Sequence, residues 1–234
     1  MTNPTQHDEK RALTAYTAPF ILFMLGLALV SAVQSFAPDG GGPLWLVEPK
    51  YWVYPLQAVI CGALLVWFWP SYAWGARWHS FTGILAGLVV LAIWVSPQWI
   101  LGAAPRAEGF NPDTFAGNPA LWWSTVALRF LRLVVVVPLL EEIFWRGFLM
   151  RYLIKENFTK VPFGEFSPFS FGVVTVMFGL AHWGPDLVPA IITCVIYNLV
   201  AVKTKSLACC VTAHAVTNLG LGIYILQTKQ WGFW

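Results

Sequence analysis

The sequence predicts an all-α, polytopic transmembrane helix bundle of about seven spans, and three observations carry that reading. Hydrophobic residues make up 58% of the chain and charged residues 11%, more apolar surface than a single soluble core can hide. Seven apolar runs are separated by breaks rich in proline, glycine and polar residues. The lysines and arginines in those breaks fall mostly on alternate sides, as the positive-inside rule requires of a polytopic protein. At 234 residues, and with about 20 apolar residues needed for each span, the chain has room for seven spans or eight. Residues 1–234 are therefore expected to form a single integral membrane domain.

The first run, about Ala15 to Phe36, follows Lys10 and Arg11. That is the charge order of a secretory signal, but the run exceeds a signal's apolar core and reads as an uncleaved first span. The second and third runs, Tyr51 to Trp69 and Phe81 to Ile100, are bounded by Pro38 to Pro43 with its three glycines and by the Pro70 to Ser80 stretch. Gly83 and Gly87 place a GxxxG in the third run, the usual mark of close helix packing. A long loop, Gly102 to Pro119, precedes the fourth run, Trp122 to Ile154, which is longer than a bilayer needs and must tilt or project into the cytosol near Arg151. The fifth run, Pro168 to Trp183, is short; Gly184-Pro185 follows it, and the last two runs are Leu187 to Val202 and Leu207 to Gln227.

With the N-terminus inside, the inner loops hold Lys10, Arg11, Arg77, Arg146, Arg151, Lys155, Lys160, Lys203 and Lys205, and the outer side holds Lys50, Arg106 and Lys229. That asymmetry puts the C-terminus outside. Trp69, Trp74 and Trp78 at one break, Trp45 and Trp52 at another, and Trp99, Trp122 and Trp123 suit an interfacial belt. The basic residues are dispersed rather than gathered on one face, which argues against a nucleic-acid partner. Cys61, Cys194, Cys209 and Cys210 all lie in apolar runs without CxxC spacing, so they read as small buried hydrophobes.

Against this background the polar residues inside the spans stand out, since an ionisable side chain at the bilayer centre costs about 3 kcal/mol or more. In VVVVPLLEEIFWRGFLMRY, Glu142 and Arg146 stand at i and i+4 with the acid first, the favourable order for a helical pair. Glu141 points about 100° away on the helix and is left out of that pairing. A carboxylate without a partner in a low dielectric gains proton affinity, which is how a glutamate becomes a general base; helix packing is the plainer alternative. In MFGLAHWGPD, Phe178 and His182 share a helix face; alone, such a histidine reads as an interfacial residue. In TAHAVTNLG, His214 and Asn218 lie one turn apart in the last span, where interhelical hydrogen bonding explains them equally well.

In order, EExxxR, FxxxH and HxxxN resemble the signature of the CAAX prenyl protease and bacteriocin-processing family, also called the Abi family of membrane proteases. The resemblance covers residues 131–222, and the short chain is also similar to the CAAX-protease-related proteins of bacterial exosortase systems. It implies a hydrolase of the bacterial cytoplasmic membrane acting on a peptide or protein substrate. Glu141 and His182 would activate a water, and His214 and Asn218 would stabilise the oxyanion. Glu142 and Arg146 would lock the helix that presents Glu141, and Phe178 would pack beneath His182. The family pattern has eight spans where seven are read here, which puts the outermost helix in doubt.

The resemblance implies no metal or other cofactor. The same Glu and His residues would serve zinc under an alternative metalloprotease reading, although no HExxH is present. A proton-coupled transporter and a noncatalytic immunity or scaffold protein are the nonenzymatic alternatives. Arg129 and Arg132, three or four turns above Glu141, are expected to snorkel to the outer interface, with substrate carboxylate binding as the sharper alternative.

Overall fold

The computed structural model describes residues 4–38, 41–76, 80–182 and 184–234. Arg77, Trp78 and Trp183 lie outside the described residues, and so do Asp39 and Gly40 of the first turn. Each apolar run forms a helix: α1 Pro4–Gln34, α2 Lys50–Trp67, α3 Ser80–Ile100, α4 Pro119–Tyr152, α5 Pro168–Ala181, α6 Leu187–Thr204 and α7 Leu207–Thr228. No strand occurs among the described residues. Five of these helices are long and apolar enough to cross a membrane. The other two are α2, with 18 residues, and α5, with 14, so seven helices correspond to five full-length apolar spans. At 1.5 Å per residue α5 reaches only about 21 Å, less than the roughly 30 Å of a hydrocarbon core.

Local chemistry sets the boundaries that matter for the site. Ser167 accepts the Ser170 amide at the start of α5, and Asn118 accepts the Leu121 amide at the start of α4, each with a proline in the first turn. Lys205 closes α6 in the left-handed conformation at φ 52°, and Ser206, the next residue, caps α7 through the Cys209 amide. So short a junction forces α6 and α7 into an antiparallel hairpin. Arg151 ends α4 by donating to the Val161 carbonyl at 2.8 Å and the Gly147 carbonyl at 2.9 Å.

The GxxxG of α3 is consumed within the molecule. A Cβ on Gly83 would meet the Cys209 carbonyl oxygen at 2.7 Å, and one on Gly87 the Ala213 oxygen at 2.4 Å. Thr217 donates to the buried Gly87 carbonyl at 2.8 Å. α7, which carries His214 and Asn218, is thereby held backbone to backbone against α3. On the opposite flank α1 packs on α4, where Phe20 and Phe144 stack at 4.0 Å and a Cβ on Gly147 would meet the Tyr16 ring at 2.8 Å. Over the far end of the bundle, the loop before α4 is pinned by Lys50 donating to the Gly109 carbonyl, by Tyr51 donating to the Asn111 carbonyl and by an Arg106–Asp186 ion pair. Hydrogen bonds from Lys229 and Trp122 hold the Asp113 carboxyl in that loop below its ordinary value.

Arg129 and Arg132 correct a sequence expectation. They do not snorkel: both are buried, at 4% and 6% exposure. Aromatic rings surround them, with Arg129 over Tyr54, Phe110 and Trp234 and Arg132 over Phe23 and Tyr54. The physical reason is that the loop before α4 and the segment after α7 fold over this end of the bundle and close the route outward.

Candidate functional site

The site is built on α4, which is not a uniform α-helix. π-helical stretches at Leu131–Val136 and Ile143–Leu149 flank a single α-helical stretch, Val137–Glu142. A π turn spends one extra residue and re-aims every side chain after it, which is why such turns gather at functional positions. Here they bracket the two glutamates.

Glu142 is fully buried, and one of its oxygens, Oε1, accepts from Arg146 Nη1 at 3.0 Å and from His214 Nδ1 at 2.9 Å. The pair read from i, i+4 spacing is thus present, and it reaches across to α7. Arg146, 1% exposed, spends its remaining donors on α6: Nε on Asn198 Oδ1 at 3.0 Å and Nη2 on the Cys194 sulfur at 3.1 Å. Asn198 in turn donates to Thr175 Oγ1 of α5 at 3.2 Å. One arginine therefore ties α4 to α6, α6 to α5, and through Glu142 to α7. A buried ion pair offsets its desolvation only when the remaining donors are used in this way.

His214 carries a proton on Nδ1, directed at Glu142, and its ring lies 5.6 Å from the ring of Tyr197. Asn218, one turn on, donates Nδ2 to the Leu133 carbonyl at 2.8 Å. That carbonyl is free for a specific reason. The Val137 amide bonds to Arg132 instead, and the next amide in π register would belong to Pro138, which has none. Asn218 fills the gap with one amide hydrogen and keeps the other.

His182 caps the end of α5, half-buried. Its Nδ1 lies 2.9 Å from the Phe178 carbonyl, and a carbonyl only accepts, so Nδ1 holds the hydrogen and Nε2 presents a lone pair. The His182 ring stacks on Phe178 at 4.6 Å, and Phe178 lies beneath the Arg146 guanidinium at 5.2 Å. Phe178 is thus the physical link between the histidine and the Glu142–Arg146 pair.

Glu141, 8% exposed, is the member outside this network: its Oε2 is buried and has no hydrogen-bond partner among the described residues. Glu142, Arg146 and His214 are joined directly, Asn218 stands beside His214, and Phe178 adjoins Arg146 and carries His182 on its other contact. No hydrogen bond joins Glu141 to His182 among the described residues. Asn198, Thr175, Cys194 and Tyr197 were missed by the sequence reading. Asn198 and Tyr197, fully buried in an apolar run, carried the same signal that singled out Asn218. Among the described residues no three His, Cys, Asp or Glu side chains gather as a metal site would require.

Residues 122–220 match a protein-family model described as Type II CAAX prenyl endopeptidase Rce1-like. No curated protein and no solved structure matches the chain. The matched stretch starts near the beginning of α4 and ends within α7, so it contains every member of the buried polar network. Over that stretch, less than half of its length, the chain is similar to the Type II CAAX prenyl endopeptidases.

Proposed function

We propose that this protein is an intramembrane endopeptidase in which Glu141 is the general base. The observation that carries the proposal is the buried His214–Glu142–Arg146 chain immediately beside a glutamate that takes no part in it. Glu142 is held through Oε1 by a fixed cation and by His214 and so serves as scaffold, its Oε2 being buried without a partner among the described residues, whereas no hydrogen bond commits Glu141 to another side chain there. Glu141 takes a proton from water, His182 Nε2 accepts the second water hydrogen, and the oxygen attacks the scissile carbonyl. The oxyanion of the tetrahedral intermediate is met by His214, which donates through Nε2 when both ring nitrogens carry hydrogen, and by the second amide hydrogen of Asn218. Glu141 then passes its proton to the leaving amine, so the peptide C–N bond breaks without a covalent enzyme intermediate.

The donor set supports a reaction without metal. Arg146 already occupies Glu142, and a guanidinium beside that carboxylate opposes a divalent cation. The substrate is a peptide or membrane-associated protein, the charge asymmetry of the loops supports an N-terminus inside, and the family resemblance points to the bacterial cytoplasmic membrane. Single-turnover cleavage of a membrane-associated peptide library by the reconstituted protein in ¹⁸O water tests the reaction. The expected result is one ¹⁸O atom in each new carboxyl group. A first turnover that delivers ¹⁶O from the enzyme would identify a covalent intermediate and sink the direct-water mechanism.

A further inference from the structure

Trp94 of α3 has no part in the proposed chemistry, yet it stands against His182. The two rings lie 6.3 Å apart with their planes at 72°, an edge-to-face pair at a separation where aromatic rings attract. The imidazole is therefore bounded by rings from two helices, Phe178 of α5 stacked on it at 4.6 Å and Trp94 nearly upright to it. The second contact matters because of where His182 sits. It ends α5 at φ −116° and ψ 42°, and Gly184, two residues on, is left-handed at φ 88°. A side chain at such an end has helix on one side only, so contacts within α5 restrain it from that side alone.

Trp94 is itself aimed. Its Nε1 donates to Thr193 Oγ1 at 2.9 Å, and Thr193 is a buried residue of α6. A buried indole N–H needs an acceptor, and that need sets the orientation of the ring. Thr193 precedes Cys194, whose sulfur accepts from Arg146, so neighbouring residues of α6 hold the two halves of the site. Gly179 lets the end of α5 approach the same stretch of α6, since a Cβ there would meet Ile191 Cγ1 at 2.6 Å. On α3, Pro97 leaves the Ile93 carbonyl without its helical donor. The Ser96 hydroxyl fills that gap at 2.9 Å, and the helix runs on past Trp94 to Ile100. Gly87, seven residues before Trp94 and so about two turns back on the same face, is where α3 meets the Ala213 carbonyl of α7. One face of α3 thus reaches from the neighbourhood of His214 to His182.

We infer that Trp94, aimed by Thr193, is a positioning residue for His182: it holds the imidazole so that Nδ1 stays on the Phe178 carbonyl and Nε2 faces the attacking water. The inference rests on the peptidase reading, in which Nε2 accepts a water hydrogen, so one arm of the test needs no turnover. ¹⁵N-histidine NMR of the full-length protein in nanodiscs reads the ring directly, with the His182 signals identified by their loss in His182→Gln. At about pH 9, where an ordinary histidine is neutral, the wild type should show two well-separated ring-nitrogen signals, Nδ1 with hydrogen and Nε2 without. Thr193→Val keeps the shape of the side chain and removes its oxygen; it should draw the two signals together as the ring samples both tautomers. Trp94→Leu should do so more strongly, and Thr193→Ser, which keeps the hydroxyl, should leave them apart. The second arm is steady-state cleavage. Thr193→Val should lower kcat by about tenfold with KM unchanged, part of the hundred- to ten-thousandfold that a positioned proton carrier contributes, and Thr193→Ser should keep the wild-type rate. His182 signals that ignore Thr193→Val would overturn the inference, and so would merged signals in the wild type. A rise in KM with kcat intact would also overturn it, by placing Trp94 against substrate. Signals that respond as expected in a protein whose wild type never cleaves would sink the peptidase reading alone. Normal cleavage by Thr193→Val with unmoved signals would sink the positioning role alone.

Discussion

His214 Nδ1 and Glu142 Oε1 lie 2.9 Å apart, across from one transmembrane helix to another, and the same oxygen accepts Arg146 Nη1 at 3.0 Å. Removing one partner from a buried ion pair leaves the other charge uncompensated, at a cost of about 3 to 5 kcal/mol. Glu142→Gln should therefore lower the unfolding temperature of the detergent-solubilised protein sharply, and Arg146→Gln should do so comparably. Replacing both at once should cost less than the sum of the two. Additive effects from the double variant would show that the two side chains are energetically independent.

Asn218 holds the Leu133 carbonyl and, in the proposed mechanism, also meets the oxyanion, so its substitution has two readouts. Asn218→Ala leaves the Leu133 carbonyl without a donor, at about 1 to 3 kcal/mol of stability. It also removes an oxyanion donor, typically worth a hundred- to thousandfold in rate, or about 2.7 to 4 kcal/mol. Cleavage should slow on that scale with little change in substrate affinity. A large rise in KM with kcat intact would place Asn218 in substrate binding instead.

Metal dependence separates the glutamate mechanism from the zinc alternative. Activity should survive strong chelators, with no zinc or iron copurifying at one per chain. Stoichiometric metal, lost to chelation with activity and restored by zinc, would make Glu141, His182 and His214 ligands and move Asn218 to a supporting role.

Orientation follows from the loop charges and is checked by cysteine accessibility. Single cysteines between Lys155 and Gly164 should be labelled from the cytoplasmic side, and those between Gly102 and Pro119 from outside. The opposite pattern would reverse the bundle in the membrane.

The seven helices were legible because hydropathy and turn residues mark where a membrane helix starts and stops; the start at Ser167-Pro168 shows it, whereas α4 begins at Pro119, three residues before its apolar run. The Glu142–Arg146 pair was legible because i, i+4 spacing on a helix is a local matter. The partner of Glu142 on α7 was not, because His214 follows it by 72 residues and no local rule encodes which helix face meets which. The π turns around Val137–Glu142 escaped as well, although Pro138 was the visible cause of the orphaned carbonyl that Asn218 fills. Arg129 and Arg132 misled for a related reason. Snorkelling is judged along one helix, whereas their burial is decided by Phe23, Tyr54, Phe110 and Trp234, which arrive from elsewhere in the chain.

The central claim is that the two adjacent glutamates differ in kind, Glu141 carrying the reaction's proton and Glu142 holding the scaffold. The direct measurement is single-turnover cleavage of a true substrate by Glu141→Gln protein in proteoliposomes, with its unfolding temperature recorded beside that of the wild type. The amide keeps the size of the carboxyl group and cannot act as the base, so the account predicts loss of cleavage in a protein that unfolds at close to the wild-type temperature. Near-normal turnover by Glu141→Gln would contradict it.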